Sequence, residues 1–281
     1  MIDYCIALGT VGLAWWLSTG IVLLLNRQER RVRTISLICI SFLSALSLVA
    51  IPAVGQMYTA TGALLGFSQG LVVWAWLEMT YLMGVITGPR QTACPGSISG
   101  GRRFFLGIAT SLYHELCVIA VFLLLLALSL DLPNKVAVLS YTALWLMRWS
   151  AKLNLFLGVR NYNQDWFPDH LRYLHSYTKK ASMNPLFPIS ITVGTAAAVA
   201  PLVLVLESSV PFERSANLLL SALMSLAVLE HWFLMYPFGE SALWAWALDK
   251  PANRLEPVAN EPEKTLATVH RLRTSAFTGK T

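Results

Sequence analysis

Seven ionisable residues, Glu78, His114, Glu115, Arg148, Lys152, Glu230 and His231, stand inside long apolar stretches that are otherwise nearly free of charge. A charge in hydrocarbon costs about 2.5–3.5 kcal/mol by insertion scales, so such groups persist where they pair, face a cavity or do chemistry. Glu78, His114, Glu115, Glu230 and His231 make a candidate ligand set for a non-haem metal ion, because imidazole and carboxylate together suit iron, manganese or zinc. His170 and His175 are available from the adjoining loop, and a single imidazole could instead bind a porphyrin-type metal axially. A structural reading stands beside these. Three carboxylates against Arg148 and Lys152 nearly cancel, and ion pairs between helices would account for five of the seven residues. A path for protons or substrate is the remaining alternative. His114 with Glu115, and Glu230 with His231, are sequence neighbours about 100° apart on a helix, not the i, i+3 or i, i+4 pairs that share a ligand.

The elements that must carry these residues follow from composition. With 56% hydrophobic and 13% charged residues over 281, and a mean hydropathy of +0.57, the chain reads as an all-α, polytopic integral membrane protein. Apolar runs near residues 4–25, 34–52, 59–87, 104–130, 134–158, 186–206 and 211–237 are each long enough to cross a hydrocarbon core of about 30 Å. They lack the alternation of barrel strands. A seven-transmembrane-helix bundle is the expectation, over a domain of residues 1–248.

Loop charges orient the bundle. Arg27, Arg30, Arg31 and Arg33 follow the first run, whereas the link around Gln56 is uncharged. Arg90, Arg102 and Arg103 precede the fourth run; Asp131 and Lys135 cancel beyond it. Arg160, Arg172, Lys179 and Lys180 lie between the fifth and sixth, and Glu207 and Glu213 flank the next turn. The alternation places the N-terminus outside and the C-terminus in the cytoplasm. Asp3 and the basic cluster after the first run favour a span over a signal peptide. The net charge of +6 then points to anionic lipid rather than nucleic acid.

Depth narrows the cluster further. At about 1.5 Å per residue, Glu78 lies about 13 Å from the cytoplasmic end of its span, His114 and Glu115 about 15 Å, Arg148 and Lys152 about 15 and 9 Å, and Glu230 and His231 about 10 Å. All fall in the cytoplasmic half. The loop of residues 159–185 interleaves Tyr162, Trp166, Phe167, Tyr173 and Tyr177 with His170, Arg172 and His175, which suggests an amphipathic interfacial helix. Trp244 and Trp246 suggest an aromatic belt, and residues 249–281 a flexible cytoplasmic tail. Cys5, Cys39, Cys94 and Cys117 are scattered without a disulfide or thiolate-metal pattern. His114-Glu115 is not continued into a zinc-protease signature, and the glycine-rich run from Gly96 to Gly101 reads as a connector.

Several blocks carry a resemblance. Ser111-Leu112-Tyr113-His114-Glu115-Leu116, the run Arg148-Trp149-Ser150-Ala151-Lys152-Leu153-Asn154-Leu155-Phe156-Leu157-Gly158-Val159, Asp169-His170-Leu171-Arg172-Tyr173-Leu174, Asn184-Pro185-Leu186-Phe187-Pro188 and Leu229-Glu230-His231-Trp232 resemble the PuhE family of photosynthetic complex assembly proteins of anoxygenic phototrophs. The similarity runs from about residue 4 to 248. It implies a multi-pass protein of the bacterial inner (intracytoplasmic) membrane. Its partners would be reaction-centre or light-harvesting subunits, or pigment-synthesis proteins. Bacteriochlorophyll or a precursor would be held on His114, His170 or His231. His175 and Thr178 depart from the expected pattern, which leaves His170 the better loop candidate. The resemblance brings no settled catalytic activity, and the rival expectation is a membrane metalloenzyme that modifies a pigment or lipid precursor.

Overall fold

The computed structural model describes residues 2–98, 100–162, 168–236 and 240–248. Its helices are α1 (Ile2–Asn26), α2 (Arg30–Gly55), α3 (Ala60–Leu82), α4 (Gly100–Ala109), α5 (Leu112–Ser129), α6 (Val136–Leu157), α7 (Leu186–Glu207) and α8 (Pro211–Phe233), followed by the short turns α9 (Glu240–Leu243) and α10 (Ala245–Leu248). A 3-10 helix, Asp169–Tyr177, crosses the α6–α7 connection. No strand occurs among the described residues; the single bridge, Val159 with Lys180, closes that connection.

Six helices, α1, α2, α3, α5, α7 and α8, are long and apolar enough to cross a membrane. α6 has the length, 22 residues, but Arg148, Lys152 and Asn154 lower its hydropathy and leave it outside that group. The α3 and α8 windows are 44% and 50% buried against 11% for α2, so α3 and α8 form the centre and α2 lies at the periphery. One core joins α1, α3 and α8 through Val11, Phe67, Leu219 and Leu223. A second joins α2, α3, α5 and α6 through Ile51, Leu77, Val118 and Tyr141. Gly70 lets α3 approach α6, since a Cβ there would stand 2.6 Å from the Ala137 carbonyl oxygen. Close contact at this level brings the next two turns of both helices within side-chain reach.

Three expectations are corrected. The run 104–130 is not one span: it breaks at Thr110-Ser111 into α4, too short to cross at 10 residues, and α5. Thr110 turns its hydroxyl back to the Gly107 carbonyl at 2.6 Å, and the His114 amide donates to Thr87 O at 2.9 Å instead of continuing a helix. Second, α3 stops at Leu82, because Gly84 takes φ +76° and turns the chain. Third, Trp244 is not at a lipid surface. It is 1% exposed, packs on Trp15 and Leu23, and donates its indole N–H to Trp16 O at 2.9 Å, while Trp246 covers Gly20. The interfacial loop is a 3-10 helix over 169–177; Trp166 and Phe167, like the proposed tail 249–281, lie outside the described residues.

Candidate functional site

Two residues four apart, Arg148 and Lys152, lie one turn apart on the same face of α6, and each meets a carboxylate from a different helix. Arg148 Nη2 donates to Glu78 Oε2 of α3 at 3.0 Å. Lys152 Nζ donates to Glu115 Oε1 of α5 at 2.5 Å, and Trp149 Nε1 donates to Glu115 Oε2, also at 2.5 Å. Tyr81 sits between the pairs: Lys152 Nζ lies 5.2 Å from its ring centroid, and the buried His114 ring packs against it at 4.7 Å. The break before α5 explains how Glu115 reaches Lys152. Glu115 is in the first turn of α5 rather than deep in a continuous span, so it stands level with the end of α6.

A second constellation is neutral. His231 of α8 is 2% exposed and has both ring nitrogens engaged, Nδ1 with Ala227 O at 2.8 Å and Nε2 with Ser150 Oγ at 2.9 Å. Ser150 donates to Ser190 Oγ of α7 at 2.9 Å, and Asn154 Nδ2 donates to the same oxygen at 3.0 Å. Below it Asn184 donates to Gly158 O at 2.7 Å and accepts the amides of Leu186 and Phe187, fixing the start of α7 against the end of α6. Glu230, the neighbour of His231, points elsewhere and accepts the indole N–H of Trp15 on α1.

The seven residues therefore do not assemble one ligand set. Glu78 and Glu115 are held by cations, Glu230 turns to α1, His231 turns to α6, and His114 lies under Tyr81. Among the described residues no group of three or more His, Cys, Asp or Glu side chains is placed to hold a metal. Of the three candidate pigment ligands, His114 keeps a buried ring nitrogen, Nδ1, without a hydrogen-bond partner. His231 has both nitrogens engaged, His170 Nε2 is 3.0 Å from Leu82 O with its ring closed over Gly84, and His114 is 1% exposed. In the loop, burial raises the phenols of Tyr162 and Tyr173 above their ordinary range.

Sequence reasoning missed Trp15, Trp149, Ser150, Asn154 and Ser190. A signal was present for two of them. Ser150 and Asn154 repeat the four-residue spacing of Arg148 and Lys152 about 200° around the helix, so α6 carries two polar stripes rather than one.

Fold and site together define an all-helical protein with six helices fit to cross a membrane and a layer of interhelical ion pairs around α6. Residues 1–254 match the model of a family described as "Protein of unknown function (DUF3623)", and the chain belongs to that family. It is 33% identical over 260 residues to a Rhodobacter capsulatus protein described as "Uncharacterized 30.4 kDa protein in puhA 5'region", covering 91% of this chain and 94% of the relative. No solved structure matches.

Proposed function

We propose that the protein is an integral membrane assembly factor for bacterial photosynthetic complexes, the reaction centre and its light-harvesting partners, working in the inner (intracytoplasmic) membrane as a PuhE-type protein. The observation that carries this reading is the identity across nearly the whole chain to a relative described as lying in the puhA 5' region. The site supports a scaffold in particular. Its ion pairs and hydrogen bonds tie α3, α5, α7 and α8 to α6 and fix helix positions, which leaves the lipid-facing surfaces to meet client subunits. Handling of bacteriochlorophyll or a precursor is part of the same reading, with His114, whose buried Nδ1 has no hydrogen-bond partner, as the best placed of the three histidines.

The topology belongs to the same proposal. α6 crosses as the seventh span because Glu78 and Glu115 neutralise its two cations, and a compensated charge costs far less to insert than an isolated one. The N-terminus is then outside and the C-terminus cytoplasmic. Reporter fusions after Gly55 and Ser129 would read the outside and fusions after Gly158 and Leu248 the cytoplasm; a fusion after Gly158 on the same side as one after Ser129 would remove the seventh span.

The functional test is a chromosomal deletion in a phototrophic host. Membranes lacking the protein should lose reaction-centre and light-harvesting absorption while total pigment synthesis continues. Unchanged complexes would refute the assembly role. Loss of pigment itself, with stoichiometric iron, manganese or zinc in the purified protein, would favour the metalloenzyme instead.

A further inference from the structure

Two open cavities adjoin where the glycine-rich connector enters α4. One, about 470 Å³, is the more polar of the two and is lined by Cys94, Pro95, Ile98, Arg103, Ser176 and Lys179. The other, about 330 Å³, is almost wholly apolar, with Phe104, Phe156 and Leu157 as its walls. Gly100, Arg103 and Lys179 line both and so form the seam between them. The polar chamber is built rather than incidental: the Cys94 amide donates to Ser176 Oγ at 2.7 Å, joining the connector to the 3-10 helix. Arg103 is held at the seam by the carbonyls of Tyr177 and Thr178, at 2.8 and 3.0 Å, and by the Phe156 face, 4.9 Å from its guanidinium carbon. The Lys179 side chain is exposed beside it.

Two cations at the junction of a polar and an apolar chamber match one ligand shape, an anionic head with a hydrocarbon tail. Position selects the source. α4 is too short to cross a bilayer, yet Phe105 is 70% exposed and Ile108 lies next to it on the exposed side, as for a helix resting at the membrane interface. On the topology proposed above α4 meets the cytoplasmic leaflet, which offers anionic phospholipid at that level and attracts basic residues near its surface. We propose that this double cavity binds one anionic phospholipid, its phosphate between Arg103 and Lys179 and the start of an acyl chain along Phe104, Phe156 and Leu157. The site is independent of the polar layer around α6 and of the assembly role. It would make the packing of α4 against the 3-10 helix depend on lipid charge.

Native mass spectrometry of the full chain, released from nanodiscs of mixed phosphatidylglycerol and phosphatidylcholine with matched chains, tests it. Wild-type protein should retain phosphatidylglycerol at about one per chain and discard phosphatidylcholine. Lys179→Glu should lower that retention about thirtyfold, the scale for replacing one attracting charge near a lipid phosphate by a repelling one. Gly101→Leu should lower it too, because Gly101 lines the apolar chamber and a Cβ there meets open space. Arg102→Glu is the control: it reverses an exposed charge on the same helix without lining either cavity, and should leave retention unchanged. Equal loss from Arg102→Glu and Lys179→Glu, or equal retention of phosphatidylcholine, would overturn the site. Displacement of the lipid by millimolar inorganic phosphate, with no effect of Gly101→Leu, would reduce it to a phosphate site and overturn the lipid assignment.

Discussion

The two faces of α6 solve the same problem in different ways. Toward α3 and α5 the helix presents full charges, Arg148 and Lys152, each closed by a carboxylate from a neighbouring helix. Toward α7 and α8 it presents Ser150 and Asn154, which hold Ser190 and His231 through neutral hydrogen bonds. Both faces join three helices, but their failure modes differ. A neutral donor that loses its partner in a membrane finds another or costs little, whereas an ion that loses its counter-ion is left in a medium that cannot solvate it. Specific pairing is therefore concentrated on the charged face, and fine registration on the neutral one.

The largest test breaks the charged face. Lys152→Met leaves Glu115 with only the Trp149 indole, and Glu115→Gln leaves Lys152 without a counter-charge. Each should cost about 3–5 kcal/mol, the scale for removing one partner of a buried pair. The readout is loss of folded protein in a thermal size-exclusion assay after mild-detergent extraction. The exchange Glu115→Lys with Lys152→Glu restores the pair in reverse and should recover most of the loss. If the double variant were no better than the worse single one, the pair would not be the source of the stability. Glu78→Gln should behave in the same way, more weakly, because Arg148 keeps the greater exposure, 38% against 28% for Lys152.

Next in size is the anchor below the neutral face. Asn184→Ala strands the Gly158 carbonyl and the Leu186 amide in a site only 4% exposed, while the Phe187 amide keeps the Asn184 backbone carbonyl. Buried groups left without partners cost about 1–3 kcal/mol, and the apparent melting temperature should fall accordingly. Asn134 plays the same part where α6 begins, donating to Gly62 O at 2.8 Å and accepting the Val136 amide. Asn134→Ala should therefore match Asn184→Ala; a much smaller effect at either end would show that water replaces the asparagine there.

His231→Phe probes the neutral face itself. It keeps the volume and removes the hydrogen bond to Ser150, and double-mutant cycles of such interhelical bonds average about 0.6 kcal/mol with a ceiling near 1.7. A cost within that range fits a registration role. A loss as large as that of Lys152→Met would place the two faces on an equal footing and remove the distinction between them.

How far this division was legible depends on what hydropathy can see. Apolar runs located α1, α2, α7 and α8 to within a few residues, because burial in lipid leaves a long uncharged signature. The break between α4 and α5 was invisible to the same measure: Gly107, Thr110 and Ser111 are neither apolar enough nor charged enough to interrupt a run, and only their hydrogen bonds reveal a turn. The error propagated to depth, placing Glu115 well above Lys152 when the two are level. That Glu78 and Glu115 could meet Arg148 and Lys152 followed from charge balance alone. Which meets which required the helix order, set by close approaches such as Gly70 against Ala137. Ser150 and Ser190 escaped notice because a serine in a span carries no cost that demands explanation, although the spacing of Ser150 and Asn154 did mark a second face.

The smallest effect belongs to an ion pair of the same chemistry in a different place. Asp3 at the start of α1 and Arg214 at the start of α8 approach to 3.5 Å with side chains 66% and 39% exposed. Arg214 also donates to Val205 O and Ser208 O, so its position does not depend on the carboxylate. Asp3→Asn should accordingly change stability by less than about 1 kcal/mol, and the change should vanish in high salt, as for exposed pairs generally. Glu115→Gln should keep its full cost in the same salt, because ions do not enter the space between α5 and α6. If instead salt erased both effects equally, the Glu115–Lys152 pair would be open to water, and the charged face of α6 would line an aqueous crevice rather than a packed seam.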